Sequence, residues 1–123
     1  MDHDKLYKSR IVSPEEAVSK INSGQRIFLT GNCSVPQFFL SALVDYAPKL
    51  SNVEICQALT IGPADYVSRE MDGHLRVNTI FISGNVRESV HKGRTDFTPV
   101  LLSEFPLLFK NGVLPLDVAL IHV

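Results

Sequence analysis

Cysteine is scarce in this 123-residue sequence, which contains only Cys33 and Cys56. Two cysteines so far apart exclude a disulfide framework and a cysteine-based metal motif, so we expect buried or loop thiols. Long apolar runs are also missing. The longest, around Leu101 and Val118, fall far short of the ~20 residues that a membrane-spanning helix needs. The sequence therefore predicts neither a disulfide-rich protein nor a membrane-spanning one.

Neither sign of charge predominates. Lys and Arg number 12 against 13 for Asp and Glu, and no long run of either sign occurs. Without a basic surface, nucleic acid is excluded as a partner, and we expect a neutral or small anionic ligand. The start, Met1-Asp2-His3-Asp4-Lys5, has two acids and no apolar stretch. It does not resemble a secretory signal, so the expected location is cytoplasmic, with no membrane partner.

Helix and strand signals alternate along the chain. Ser13-Pro14-Glu15-Glu16 predicts a helix start in which Ser13 and Glu16 form a capping box. Pro36 predicts the start of a second helix, over 37–46. Strands are predicted over 26–30, 53–57, 77–83 and 116–123, short helices over 65–71, 84–88 and 103–109, and an ordered loop over 93–99.

This alternation predicts one α/β domain over residues 1–123, with an open, mostly parallel sheet and helices on both faces. The segment 116–123 is an almost continuous apolar run. Such runs are typical of parallel strands covered on both faces, so we expect this strand to be buried.

Two segments follow predicted strands, where open α/β sheets bind their ligands. The first is Gly31-Asn32-Cys33-Ser34, whose small side chains would let backbone N–H groups approach an anionic oxygen. A tight strand-to-helix turn without a ligand is the more frequent outcome for such a segment. Cys33 would be a nucleophile if its pKa were lowered there, although a packed thiol is more common.

The second segment contains Gly84, Asn85 and Arg87. Arg87 can bind a carboxylate or phosphate through two parallel hydrogen bonds, or it can be a surface ion-pair residue. Asp96 is a further charged candidate, which can instead cap a turn. His91 and His122 have no partners at metal-ligand spacing; His91 is expected to be exposed, and His122 to be a hydrogen-bonded residue of a strand. No nucleotide-binding fingerprint is present.

Taken together, these segments resemble the amino-terminal half of acetyl-CoA hydrolases/transferases, particularly the acetate and 4-hydroxybutyrate CoA-transferase branch. The resemblance runs from about Ile11 to Val123. It rests on the order and spacing of the segments 29–37, 81–87, 93–99, 103–106 and 116–121.

The resemblance implies an acyl-CoA:carboxylate CoA-transferase or an acetyl-CoA hydrolase that acts through a glutamyl-CoA thioester. The family's nucleophilic glutamate lies in the carboxyl-terminal half, so no catalytic residue is expected in this chain, which alone should be inactive. Coenzyme A is then a substrate, with no bound cofactor and no metal. The implied substrate-binding residues are Gly31, Asn32, Cys33, Ser34, Gly84, Asn85 and Arg87.

The implied partners are an acyl-CoA, a short-chain carboxylate and the protein's own carboxyl-terminal half. Apolar surface left uncovered would favour a homo-oligomer. Two alternatives stay open. One is a non-catalytic α/β binding or interaction module. The other is a sugar-phosphate isomerase-like enzyme of similar architecture, which would need a clearer set of phosphate-binding and base residues.

Overall fold

A five-stranded parallel sheet organises the chain. The computed structural model describes residues 2–123. Met1, the first residue of the segment that was compared with a secretory signal, lies outside the described residues. The strands are β1 (Arg26–Leu29), β2 (Val53–Gln57), β3 (Leu75–Thr79), β4 (Thr95–Phe97) and β5 (Val118–Leu120). Their order in the sheet is β4-β3-β2-β1-β5, and every pairing is parallel. The carboxyl ends of all five strands therefore lie at one edge.

Five helices connect or precede these strands. They are α1 (His3–Lys8), α2 (Pro14–Val18), α3 (Gln37–Tyr46), α4 (Arg87–His91) and α5 (Phe105–Lys110). Single 3₁₀ turns occur at Asn32–Ser34, Ala47–Lys49, Asp65–Val67 and Arg69–Met71. The predicted helix over 65–71 is therefore two 3₁₀ turns. The sequence patterns did not predict α1, which begins where the Asp2 side chain accepts from the Lys5 N–H. No helix within residues 2–123 combines the length and the apolar character that crossing a bilayer would require.

The alternation of side chains along β1 shows that helices cover both faces of the sheet. Ile27 and Leu29 are fully buried on one face, in the core that includes residues of α2 and α3. Phe28 points to the opposite face, where its ring lies 6.2 Å from that of Phe105 and 5.7 Å from that of Phe109, both in α5. The predicted open, parallel α/β architecture is confirmed.

The predicted start of α2 is confirmed, and its capping box is half formed. Ser13 Oγ accepts a hydrogen bond from the Glu16 N–H at 3.1 Å. The Glu16 carboxylate turns instead toward Lys20, 3.8 Å away. The helix ends at Val18, and Gly24, before β1, has φ +80°.

Three predicted segments differ from the structure near the sheet's edges. The strand predicted over 77–83 ends at Thr79, whose hydroxyl lies 3.1 Å from the Ala58 oxygen and 2.7 Å from the Phe81 oxygen, so that the chain turns out of the sheet. The loop predicted over 93–99 contains β4, which pairs with β3. The strand predicted over 116–123 is shortened to β5, which is half-buried and, within residues 2–123, lies at the edge of the sheet with β1 as its one pairing partner. The prediction of a strand covered on both faces was wrong.

Candidate functional site

Three loops meet at the carboxyl edge of the sheet. We call them loop 1 (residues 30–36, after β1), loop 2 (58–64, after β2) and loop 3 (80–86, after β3). The sequence patterns predict segments of loops 1 and 3 as ligand loops and miss loop 2, which lies between them. The rule that ligands bind at the carboxyl ends of parallel strands applies equally to β2, and would have identified loop 2.

Loops 1 and 2 contact each other through their backbones. The Asn32 N–H donates to the Leu59 carbonyl oxygen at 2.8 Å, and Asn32 itself has a left-handed backbone at φ +52°. A Cβ placed on Gly31 would come within 2.5 Å of the same Leu59 oxygen. Glycine is required at position 31 because no side chain fits between the two loops.

A side chain from α3 also contacts loop 2. Gln37 Nε2 donates to the Ile61 carbonyl oxygen at 2.6 Å. The next residue, Gly62, has φ +94°, and a Cβ placed there would collide with Gln37 Nε2. The first residue of α3 thus packs directly against the backbone of loop 2.

Loop 2 is joined to loop 3 by Asn85. Its Nδ2 donates to the Gly62 carbonyl oxygen at 3.1 Å and lies 3.3 Å from Thr60 Oγ1. Ser83 Oγ donates to Asn85 Oδ1 at 2.7 Å, which fixes the orientation of the amide. The backbone of loop 2 is therefore held between two carboxamides, one from Gln37 and one from Asn85.

A mostly buried polar cluster joins the end of β2 to loops 2 and 3, and it consists of Gln57, Thr60, Tyr66, Ser83 and the half-buried Asn85. Gln57 Nε2 donates to Thr60 Oγ1 at 3.0 Å, and the Tyr66 hydroxyl donates to Gln57 Oε1 at 3.0 Å. Burial raises the pKa of Tyr66, while its hydrogen bonds with Thr60 and Gln57 act in the opposite direction. The cluster is uncharged and internally satisfied, an arrangement that makes a buried network rigid.

The predicted site residues fall into two groups. Gly31, Asn32, Cys33 and Ser34 lie together in loop 1, with Cys33 exposed on the 3₁₀ turn. Asn85 is joined to this group through loop 2. Gly84 is exposed, and a Cβ placed on it would meet no atom within 4 Å. Arg87 is exposed at the start of α4, with no ion pair to any residue in 2–123.

The other charged or nucleophilic candidates lie elsewhere. Asp96 is part of β4 and accepts from Arg76 at 2.5 and 2.6 Å, so it neither binds at the loops nor caps a turn. His122 lies beyond β5 and is exposed, rather than in a strand. Cys56 is buried, and that burial, with the Glu54 carboxylate nearby, raises the pKa of its thiol to about 12. Across residues 2–123, no three His, Cys, Asp or Glu side chains cluster in a way that would hold a metal ion.

Two cavities open beside Asn32. The small cavity has a volume of about 290 Å³ and is lined by loops 1 and 2 with Gln37, including Cys33, Val35, Ile61 and Pro63. The large cavity, of about 570 Å³, lies between loops 1, 2 and 3 and the segment after β4. Its lining residues are Gly31, Asn32, Ala58, Leu59, Ile80, Phe81, Val100, Leu101 and Leu102. Concave, mostly apolar sites of this kind with few polar groups are typical of small-molecule binding.

Curated relatives align with most or all of this chain. It is 37% identical over 123 residues to 4-hydroxybutyrate coenzyme A transferase from Clostridium kluyveri, covering 100% of this chain and 29% of that protein. It is 33% identical over 111 residues to succinyl-CoA:acetate/propanoyl-CoA:succinate CoA transferase from Fasciola hepatica, covering 89% of this chain and 23% of that protein. The chain thus spans less than a third of the length of these relatives.

Solved structures have the same fold. RipA from Yersinia pestis matches 98% of this chain and 30% of its own, with a TM-score of 0.82 and 21% identity. The 4-hydroxybutyrate CoA-transferase from Porphyromonas gingivalis matches 96% of this chain and 26% of its own, with a TM-score of 0.72 and 27% identity. The family model of the acetyl-CoA hydrolase/transferase N-terminal domain matches residues 1–123. Because that match covers every residue, the chain belongs to the acetyl-CoA hydrolase/transferase family and corresponds to its amino-terminal domain.

Proposed function

We propose that this chain forms one wall of the active site of an acyl-CoA:carboxylate CoA-transferase, or of an acetyl-CoA hydrolase in which water replaces the acceptor acid. The observation that carries the proposal is the joining of three loops at the carboxyl edge of a parallel sheet, where two cavities share Asn32. The names of the relatives, all CoA-transferases, support the same reaction class.

The proposed reaction is covalent catalysis by a glutamate supplied by the remainder of the protein. Its carboxylate attacks the acyl-CoA carbonyl, giving an acyl-glutamyl anhydride and CoA thiolate. The thiolate then attacks the glutamyl carbonyl, releasing the first carboxylate and leaving a glutamyl-CoA thioester. An acceptor carboxylate repeats the two steps in reverse, so that a new acyl-CoA forms and the glutamate is regenerated. We assign the nucleophile to none of the glutamates of this chain.

The residues of this chain would hold the acyl group and keep water away from the reacting carbonyl. Backbone contacts and the two carboxamides fix the loops before substrate arrives, and such preorganisation lowers the cost of reaching the transition state. Gly31, Asn32, Cys33 and Ser34 would line the acyl site. Gly84 and Asn85 would frame it from loop 3.

Arg87 is the cation nearest in sequence to loop 3, and it is exposed. We assign it to an anionic group of coenzyme A, because a guanidinium can form two parallel hydrogen bonds with a phosphate oxygen pair. Coenzyme A acts here as a substrate. We further infer a cytoplasmic location, where acyl-CoA is available, and assembly into homo-oligomers.

The test uses the protein at the full length of its relatives and measures transfer of CoA from an acyl-CoA to acetate. Asn32→Ala should lower kcat/KM at least tenfold. Asn52→Ala is the matched control, because Asn52 has nearly the same left-handed backbone, φ +55° against +52°, but precedes β2 at the opposite edge of the sheet. Both substitutions place alanine in the same left-handed backbone conformation and so cause similar strain. A larger loss of kcat/KM in the Asn32 variant would therefore reflect a role of Asn32 at the site.

If the full-length protein transferred CoA to no carboxylate and hydrolysed no acyl-CoA, the proposal would be wrong. A non-catalytic binding module would then be the better description. Equal losses of activity in the Asn32 and Asn52 variants would contradict the assignment of loop 1 to the active site.

A further inference from the structure

Thr30, the first residue of loop 1, connects loop 1 to the segment after β5, which comprises residues 121–123. Its hydroxyl donates a hydrogen bond to the Ser34 carbonyl oxygen at 2.5 Å and accepts one from the His122 N–H at 3.1 Å. The Thr30 N–H donates to the Leu120 carbonyl oxygen, also at 3.1 Å, so the pairing of β1 with β5 reaches Thr30. The Thr30 side chain is thus bonded to two segments that leave the sheet at its carboxyl edge.

This connection requires a side chain that both donates and accepts, as a hydroxyl does. The donated bond closes the 3₁₀ turn Asn32–Ser34 against the start of loop 1, and the accepted bond holds the backbone of the segment after β5. Valine has a shape similar to that of threonine but can form neither bond, whereas serine can form both. A single hydroxyl therefore joins loop 1 to the segment after β5.

A third cavity, of about 560 Å³, opens between the two joined segments. Cys33 and Val35 of loop 1 line it together with Ile121 and His122, and the rest of its lining comes mainly from the starts of α2 and α3. Cys33 and Val35 also line the small cavity. Loop 1 therefore separates the small cavity from the third cavity, and a shift of loop 1 changes the shape of both.

We propose that Thr30 is a positioning residue of the active site, which holds loop 1 and the segment after β5 at the spacing that the transfer reaction needs. Thr30 acts through loop 1 rather than on the reacting groups. The inference rests on the proposed function, in which loop 1 lines the acyl site. A small displacement of loop 1 should impair the reaction more than the binding of the acyl-CoA, because the transition state is more sensitive to alignment than the bound substrate is.

The test measures kcat and KM for CoA transfer in the full-length protein, with kcat referred to the concentration of folded enzyme. Thr30→Val should lower kcat by at least about tenfold and change the KM for the acyl-CoA by less than about threefold. Thr30→Ser keeps the hydroxyl, and its kcat should stay within about threefold of the parent value. Thr95→Val is the matched control and should leave both constants unchanged. The buried Thr95 hydroxyl also has a hydroxyl partner, Ser89 Oγ at 2.6 Å, but it lies at the start of β4, at the opposite edge of the sheet.

Amide hydrogen exchange of the same proteins gives a readout that does not depend on activity. In Thr30→Val, exchange should become at least about tenfold faster both in residues 31–35 and in the segment after β5, whereas Thr95→Val should change neither.

Three results would overturn the positioning role while leaving the proposed transfer reaction intact. They are a smaller loss of kcat in Thr30→Val, unchanged exchange in either segment, and a loss of kcat in Thr30→Ser as large as that in Thr30→Val. If the parent protein transferred no CoA, the proposed function would be wrong, and the positioning role would be wrong with it.

Discussion

Gln37 at the start of α3 and Gly62 in loop 2 occupy mutually dependent positions. The Gln37 amide donates to the carbonyl oxygen of Ile61, and it fills the space into which a side chain on the next residue would project. Only a residue without a Cβ can accompany this hydrogen bond. The geometry of loop 2 therefore depends on a contact between residues far apart in the sequence. The same contact fixes the part of the small cavity that loop 2 lines.

Replacing Gly62 by alanine should lower the free energy of unfolding by about 2 kcal/mol, because left-handed backbone strain and displacement of the Gln37 amide add together. Gly73→Ala isolates the strain, since Gly73 has φ +82° and open space around it, and should cost about 1 kcal/mol. Gly84→Ala causes neither backbone strain nor a collision, so it should leave the free energy of unfolding nearly unchanged. Urea unfolding of the three variants measures the differences. If Gly62→Ala and Gly73→Ala lowered the free energy of unfolding equally, displacement of the Gln37 amide would have no energetic cost.

The sequence predicted those features of the fold that depend on local chemistry. Ser13 and Pro36 identified the starts of α2 and α3, because capping and proline geometry act within one turn of the chain. The burial of the last strand could not be predicted in this way. Its apolar composition suggests a central strand, but among residues 2–123 it pairs with β1 alone, and pairing across the sheet is a long-range property.

The candidate site was predictable in part for the same reason. Small residues in loop 1 and at Gly84 and Asn85 are local signals of backbone that approaches a ligand or another loop. Loop 2 has a comparable local signal only at Gly62-Pro63, which predicts a turn and does not show that the loop contacts its neighbours. The requirement for glycine at position 62 arises from Gln37, and the role of Asn85 arises from the Gly62 carbonyl. Such requirements become visible only when the strands are paired.

Tyr66→Phe should lower the free energy of unfolding by about 1–2 kcal/mol, because it leaves the buried Gln57 Oε1 without its hydroxyl donor. Tyr7→Phe is the matched control and should change stability by less than about 0.5 kcal/mol, since Tyr7 is exposed. Thermal or urea unfolding of both variants gives the comparison. Equal effects of the two substitutions would contradict the view that the polar cluster supports loop 2.

The two thiols should differ sharply in reactivity. Cys33 is exposed in loop 1, whereas Cys56 is buried and its thiol has a pKa raised to about 12. A thiol reagent at neutral pH should modify one cysteine in the native protein and a second only after unfolding, because the thiolate is the reactive form. Cys33→Ser should abolish the fast reaction, and Cys56→Ser should leave it unchanged. Rapid labelling of the native Cys33→Ser variant would show that β2 opens readily.

The buried thiol of Cys56 should also make the protein less stable at alkaline pH. In the unfolded chain the thiol ionises near its ordinary pKa of 9.0, whereas in the folded protein burial raises that pKa to about 12. Between these values the unfolded state has lost a proton that the native state keeps, so stability falls as the pH rises, by up to about 1.4 kcal/mol per pH unit. Below pH 9 this contribution is constant. Above pH 10 the raised pKa of Tyr66 adds to the loss of stability, with the same sign.

Urea unfolding from pH 7 to 10.5 should therefore give a steeper alkaline decline in the free energy of unfolding for the parent than for Cys56→Ala, whatever the two stabilities at pH 7. Parallel curves would mean that the thiol ionises at similar pH in both states, and that β2 is more accessible to solvent than its packing indicates.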